Sequence, residues 1–372
     1  MADATVSPKA PLPWAEPSPR WHDRGVAFFR RHPALYLGLL APMVEYLSGS
    51  TQSSWLVVNP VLFFAFLAQN LGSYGLAVIL IREAMVRWNK GWGTVLLLGA
   101  AYGIINEGVG AATLFNPGDT AALGIVSTYG HALGVNWVWA VELVLIIHPM
   151  FSVTLPITLL DLSFPETRGR SLLRDGEIQW SLIGLTVDAL GTLAFVGYVR
   201  QFYAGPTLWA GCAIAIAGCC GAAYVVRADI LSATGERPTV RPLTMFVFVV
   251  GFFALMTFGS DALASMRVWP IVVAAFFVAL GALGLIWVFR HVGRHDNERT
   301  LIALCAGLVA VLLPQGFFGQ LYTGVGMISV VGYDLVVVAL LVLLWRKHYL
   351  STRSSITRGG VSGNPFPPHS AS

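Results

Sequence analysis

Ten apolar stretches, each close to the length that crosses a bilayer, determine what this chain can fold into. A membrane-spanning helix needs about 20 consecutive apolar residues. With 56% apolar and 11% charged residues, the chain also carries far less charge than the roughly 25% of an ordinary globular domain. We therefore predict an all-α polytopic membrane bundle of about ten helices. The stretches lie at 33–48, 61–81, 94–113, 132–160, 178–199, 207–226, 243–263, 268–290, 301–318 and 326–345.

The positions of Lys and Arg predict the orientation of the bundle. Cytoplasmic loops of membrane proteins hold an excess of basic residues. With ten helices and a cytoplasmic N-terminus, the 23 basic residues fall on the cytoplasmic side except for Arg200 and Arg267. We therefore predict that both termini are cytoplasmic and that the protein is integral to the plasma membrane, with the lipid bilayer as its partner. No basic patch with interleaved aromatic residues indicates binding to nucleic acid.

The two ends of the chain differ from its apolar middle. Residues 1–32 contain five prolines between positions 8 and 19, and we expect a disordered cytoplasmic arm. Its last part, from Arg20 to Arg31, has the pattern of an amphipathic segment lying at the lipid headgroups. We expect residues 351–372 to form a disordered cytoplasmic tail. The bundle would then occupy 33–350, with a half rich in polar residues at 33–162 and a scaffold half at 178–350.

Ionisable residues inside the apolar stretches are the candidates for function. A charged side chain at the bilayer centre costs about 2.5–3.5 kcal/mol on insertion scales, so such residues usually face a cavity or another helix. The candidate catalytic residues are Glu107, His148 and Glu142. The candidates for lining a substrate or ion path are Glu45, Asn106, Asp188 and Asp334.

Glu107 is the most informative of these residues. On a helix, the positions three and four residues away share its face, and here they include Gly103, Gly110 and Ala111. This face of small residues lets another helix or a ligand approach the carboxyl group closely. The pattern fits a proton acceptor or donor, and it fits equally well a glutamate that is hydrogen-bonded across a helix interface.

Glu142 and His148 lie on the same stretch, six residues apart. At 3.6 residues per turn they are separated by roughly 120° and about 9 Å along the axis. This spacing excludes the His-Glu-x-x-His zinc pattern. One intramembrane histidine with scattered carboxylates does not define a metal site, and the sequence identifies no cofactor. The four cysteines fall in apolar stretches without zinc-ligand spacing, so we expect them to behave as small hydrophobic residues.

Two segments resemble a known enzyme family. The stretch from Gly103 to Gly108, with Asn106-Glu107, and the stretch from Ile146 to Ser152, with His148, resemble the intramembrane motifs of the type II CAAX protease-like family. The paired glutamates of that family correspond to Asn106-Glu107 here. The resemblance covers the third and fourth stretches, and it implies a glutamate-activated water in a multi-helix membrane site. By this resemblance Glu107 would be the base and His148 its partner.

Three functions therefore remain open from the sequence. An intramembrane hydrolase acting on a membrane-embedded peptide needs Glu107 and His148 within reach of one water molecule. A separation beyond about 8 Å with no shared cavity would exclude it. A proton- or cation-coupled transporter of a small solute needs Asp188 or Asp334 along a path that continues to the acids of the first half. A non-catalytic scaffold would have every acid paired against another helix.

Overall fold

The computed structural model describes residues 21–51, 59–118, 128–228, 231, 240–292, 298–323 and 334–347. Residues 1–20 of the expected arm, the expected tail at 351–372 and residues 326–333 of the tenth stretch lie outside the described residues. The described part is almost entirely helical, with one two-stranded antiparallel hairpin. The predicted all-α class is therefore confirmed.

The helices of the described residues are numbered here in chain order. They are α1 (Trp21–Arg31), α2 (Pro33–Leu40), α3 (Met43–Leu47), α4 (Pro60–Asn70), α5 (Leu76–Arg87), α6 (Trp92–Gly103), α7 (Trp137–Glu142), α8 (Leu155–Ser163), α9 (Asp175–Arg200), α10 (Pro206–Val225), α11 (Pro242–Ser265), α12 (Pro270–Val292), α13 (Glu298–Thr323) and α14 (334–347). The hairpin is formed by β1 (His131–Ala132) and β2 (Val135–Asn136), and a 3₁₀ turn covers Pro165–Thr167.

Three π-helical segments interrupt these helices. They are π1 (Leu71–Gly75) between α4 and α5, π2 (Ile104–Gly110) after α6, and π3 (Leu143–Thr154) between α7 and α8. Pro149 lies inside π3, where its missing N–H cannot make the usual bond to the preceding turn. π-helical turns make up well under 1% of residues in proteins and occur frequently at functional sites. The three among the described residues therefore mark this region as a candidate site.

Within the described residues, seven helices are long and apolar enough to cross a membrane. They are Pro60–Arg87, Trp137–Ser163, Asp175–Arg200, Pro206–Val225, Pro242–Ser265, Pro270–Val292 and Glu298–Phe317. The other three apolar stretches of the sequence coincide with shorter helical segments at Pro33–Leu47, 92–110 and 334–347. The chain is therefore a multi-pass helical membrane protein.

The helix Trp137–Ser163 lies at the centre of the bundle. Its most apolar window is 89% buried, whereas the corresponding windows of α9 and α10 are 6% and 11% buried. On one side π3 packs against α6, and on another α8 packs against α13. Helices α9 and α10 therefore lie at the periphery of the bundle, where many of their apolar side chains are exposed, and α9 also contacts π1 and π2.

Arg82, Glu83 and Arg87 lie at the end of α5 and bind the chain that follows α8. Arg82 is buried and donates to the carbonyl oxygens of Thr167 and Arg170 at 2.5 and 2.9 Å. Glu83, also buried, accepts from the Leu172 N–H and from Ser171 and Arg87. These bonds hold the loop between α8 and α9 against α5.

Candidate functional site

Glu107 and His148 lie in direct contact at the centre of the site. Glu107 is on π2 and His148 on π3, and Glu107 Oε1 is 3.0 Å from His148 Nε2. On the other side of the ring, His148 Nδ1 is 3.1 Å from the Ser152 hydroxyl, one turn further along π3. Both ring nitrogens therefore have a polar partner, which fixes the orientation of the imidazole.

The second oxygen of the Glu107 carboxyl group is also bound. Thr113, in the segment after π2, donates its hydroxyl hydrogen to Glu107 Oε2. The side chain of Glu107 is 13% exposed, whereas that of His148 is 4% exposed. The carboxyl group is therefore the part of the pair that is more accessible to water or a ligand. Arg200, at the end of α9, is close enough to attract it electrostatically.

Close helix packing brings this pair together. A Cβ added to Gly103 would lie 3.1 Å from the Cα of Val144 and 3.3 Å from the His148 side chain. One added to Gly99 would lie 2.8 Å from the Pro149 Cα. The small residues that share the Glu107 face on the α6–π2 helix therefore allow the backbone of π3 to approach, as their spacing indicates.

A hydrogen-bonded chain links this pair to a second carboxyl group. Asn106 Nδ2 donates to Glu107 Oε1 at 3.3 Å and to the Tyr74 hydroxyl at 3.0 Å. The Tyr74 hydroxyl in turn donates to Glu45 Oε1 at 2.5 Å. Thr51 donates to the other oxygen of Glu45 at 3.5 Å. The polar chain thus runs from α3 through π1 and π2 to π3.

Aromatic rings and a serine hydroxyl make further contacts with His148 and Asn106. The rings of Tyr74 and Tyr102 lie on His148, with centroid distances of 6.2 and 5.4 Å. Ser73 contacts the Tyr102 hydroxyl and donates to Asn106 Oδ1, each at 3.3 Å. All three π segments contribute side chains to this network, which we call the Glu–His network. Its members are Glu45, Ser73, Tyr74, Tyr102, Asn106, Glu107, Thr113, His148 and Ser152.

The other predicted site residues occupy different places. Glu142, on the same helix as His148, is 1% exposed and interacts with Ser260 and Asp261 of α11.

Asp188 lies on α9 beside π1, because a Cβ added to Gly72 would be 2.6 Å from its Oδ1. Its charge also acts on Tyr102. The structure thus brings Glu45, Asn106, Glu107 and His148 together, places Asp188 at the edge of the network, and puts Glu142 on a separate face.

Asp334 stands apart from these groups at the start of α14. Its Oδ1 is buried and makes no hydrogen bond to any of the described residues. Among the described residues, no cluster of three or more His, Cys, Asp or Glu side chains is suited to hold a metal ion. The four cysteines are free, with Cys212 and Cys305 buried.

The network also contains residues that sequence reasoning missed. These residues carry no charge, so placing them in a membrane-spanning helix costs little free energy, and the sequence does not single them out. They are Ser73, Tyr74, Tyr102, Thr113 and Ser152. One sequence signal was present, because Ser152 follows His148 by four residues and so shares its helical face. For Thr113 and the tyrosines, only the folded arrangement reveals their contacts.

The comparisons with known proteins identify a family. The model of an uncharacterized membrane protein family matches residues 35–339, a range that includes every member of the Glu–His network. The comparison with curated proteins and the comparison with solved structures returned no match.

Proposed function

The chain belongs to this uncharacterized membrane protein family, and we propose that it is an intramembrane hydrolase in which Glu107 activates a water molecule. In the proposed topology, the chain crosses the plasma membrane ten times and has both termini in the cytoplasm. Its proposed substrate is a membrane-embedded peptide. The resemblance to the type II CAAX protease-like family supports the same reaction, since it assigns the base to Glu107 and its partner to His148.

One observation carries this proposal: the 3.0 Å contact between Glu107 Oε1 and His148 Nε2. A general base must lie within hydrogen-bonding reach of the group whose proton it takes, directly or through one water molecule. Glu107 is the more exposed member of the pair, so a water molecule reaches its carboxylate before it reaches the imidazole. His148, with Ser152 behind it, then stabilises the charge that forms on the pair.

The proposed reaction uses groups already in the network. Glu107 removes a proton from water, and the water oxygen forms a bond to the carbonyl carbon of the peptide. Asn106 Nδ2 exchanges its 3.3 Å hydrogen bond to Glu107 Oε1 for one to the oxygen that becomes negatively charged. The carbon–nitrogen bond then breaks, and the proton passes from Glu107 to the departing amine.

Incorporation of ¹⁸O tests this reaction. The purified protein is reconstituted in liposomes with a library of transmembrane peptides in H₂¹⁸O, and the products are analysed by mass spectrometry. Hydrolysis places one ¹⁸O in each new carboxyl group. We expect cleavage by the wild type, and a rate lower by about 10²–10⁴-fold with Glu107→Gln or His148→Ala. Asp261→Asn and His291→Ala are matched controls, because they remove an acid and a histidine outside the network.

A second candidate function, proton-coupled transport of a small solute, rests on a different observation. The chain from Glu45 through Tyr74 and Asn106 to Glu107 joins two carboxyl groups by hydrogen bonds, and such chains conduct protons in transporters. Asp188, at the edge of the network, would extend the path towards α9. Liposomes loaded with a pH-sensitive dye distinguish this function, because transport acidifies the lumen without releasing peptide products. If the wild type neither releases peptide products nor acidifies the lumen, only the scaffold role remains.

A further inference from the structure

Helix α1 carries a basic surface that the Glu–His network does not use. Its sequence contains three arginines and one aspartate. We propose that one face of α1, formed by Arg24, Ala27, Phe28 and Arg31 with His32 at its end, binds the headgroup of an anionic phospholipid. This face is called the lipid face below. The proposal depends on the membrane location of the protein and not on any activity of the Glu–His network.

The helix is held in one rotation about its axis. Phe29 packs on Tyr36 of α2 with a centroid distance of 5.3 Å. Arg30 forms a 2.8 Å ion pair with Glu166 in the 3₁₀ turn. At about 100° per residue, Phe29 and Arg30 point roughly 100–160° away from Arg24, Phe28 and Arg31. The two anchored side chains therefore turn the lipid face away from the bundle.

The lipid face combines charge with an apolar centre. Its residues line an open cleft of about 310 Å³. Arg24 and Arg31 are both exposed and lie about 10 Å apart along the axis, two turns from one another. Phe28, between them, is 48% exposed, and its ring is tilted against that of His32 with a centroid distance of 4.8 Å. An exposed aromatic ring between two guanidinium groups suits the boundary between acyl chains and phosphates.

Charge complementarity selects an anionic lipid as the occupant. Guanidinium groups bind phosphate oxygens through paired N–H donors. A headgroup with a net negative charge is attracted to both arginines, whereas in phosphatidylcholine the choline cation offsets the phosphate charge. Each basic residue near an anionic membrane surface contributes about a factor of five in affinity. The lipid face therefore favours phosphatidylglycerol over phosphatidylcholine.

Native mass spectrometry of the full-length protein in detergent tests the proposal. The protein is titrated with phosphatidylglycerol and separately with phosphatidylcholine, and bound lipid molecules are counted. We expect the double variant Arg24→Gln/Arg31→Gln to lower the apparent affinity for the first phosphatidylglycerol by roughly ten- to thirtyfold. Binding of phosphatidylcholine should stay unchanged. Arg290→Gln/Arg346→Gln is the matched control, because it removes the same charge at exposed positions elsewhere and should retain wild-type binding.

Three results would overturn the proposal. The first is an unchanged affinity for phosphatidylglycerol in the Arg24/Arg31 variant. The second is an equal loss in the control variant, which would mean that only net charge matters. The third is complete displacement of phosphatidylglycerol by an equal concentration of inorganic phosphate, which would assign the lipid face to a free anion. Size-exclusion chromatography checks that each variant remains folded.

Discussion

Glu107 Oε1 lies 3.0 Å from His148 Nε2, although 41 residues separate the two side chains in the sequence. Each residue sits on a π-helical segment, and the two segments belong to neighbouring helices. Because an acid and a histidine in apolar helices are costly unless they meet a partner, this contact accounts for the presence of both. Of the two side chains, that of Glu107 is the more exposed.

Shortening the carboxylate side chain tests whether its position matters. Glu107→Asp keeps the charge but withdraws the oxygens from His148 by about one bond length. Since a misplacement of about 1 Å can cost a factor of 10² in rate, we expect peptide cleavage to fall about a hundredfold. The rate of ¹⁸O incorporation measures this effect. A variant as active as the wild type would show that only the charge of Glu107 is needed.

Ser152→Ala separates an orienting role from a nucleophilic role. Ser152 Oγ is 3.1 Å from His148 Nδ1, but the residue is only 1% exposed, so a substrate does not reach its hydroxyl. We therefore expect Ser152→Ala to retain activity within about tenfold of the wild type, since a neutral hydrogen bond contributes about 1 kcal/mol. A loss of more than about a thousandfold, with labelling of Ser152 by a serine-directed fluorophosphonate in the wild type, would instead identify Ser152 as the nucleophile.

Tyr74→Phe distinguishes the two candidate functions. The Tyr74 hydroxyl is the link between Asn106 and Glu45, while the ring packs on Tyr102 and His148. The substitution keeps the ring and removes the link. If the protein is a hydrolase, we expect cleavage to fall no more than about tenfold, since a neutral hydrogen bond contributes about 1 kcal/mol. Abolished acidification of dye-loaded liposomes with the same variant would support proton-coupled transport instead.

Much of this arrangement could be predicted from the sequence, because apolar length and ionisable residues carry strong signals. The multi-pass helical fold and the two central residues, Glu107 and His148, follow from those signals. Helix geometry also separates Glu142 from His148, and the structure places Glu142 beside Ser260. The number of membrane crossings and the side of the termini remain predictions.

The rest of the site depends on features that a sequence pattern does not reveal. A π-helical turn changes which residues face one another by about one position. The sequences of residues 71–75 and 104–110 contain no pattern that predicts such a turn. The hydroxyls of Tyr74 and Ser152 are ordinary in an apolar helix, so only their contacts reveal a role. Likewise, the link from Glu45 to Glu107 depends on the side chains of Tyr74 and Asn106 meeting across two helices.

Because the helices that carry the site are closely packed, we expect alanine substitutions at two glycines to have different effects on the free energy of unfolding. A Cβ at Gly99 would meet the Pro149 Cα at 2.8 Å, whereas one at Gly191 would meet nothing within 4 Å. We expect Gly99→Ala to lower the free energy of unfolding by about 1–3 kcal/mol, as overpacking does. Gly191→Ala should leave it unchanged or raise it by about 0.4–1 kcal/mol. Thermal unfolding in detergent measures both, and equal midpoints would contradict the packing.

The measurement that tests the central claim most directly is a double-mutant cycle on Glu107 and His148. Peptide cleavage, followed by ¹⁸O incorporation, is compared among the wild type, Glu107→Gln, His148→Ala and the double variant. Residues that act as one unit have strongly non-additive effects, so each single variant should lose about 10²–10⁴-fold and the double variant should lose no more. Single losses that multiply in the double variant would contradict a Glu107–His148 catalytic pair.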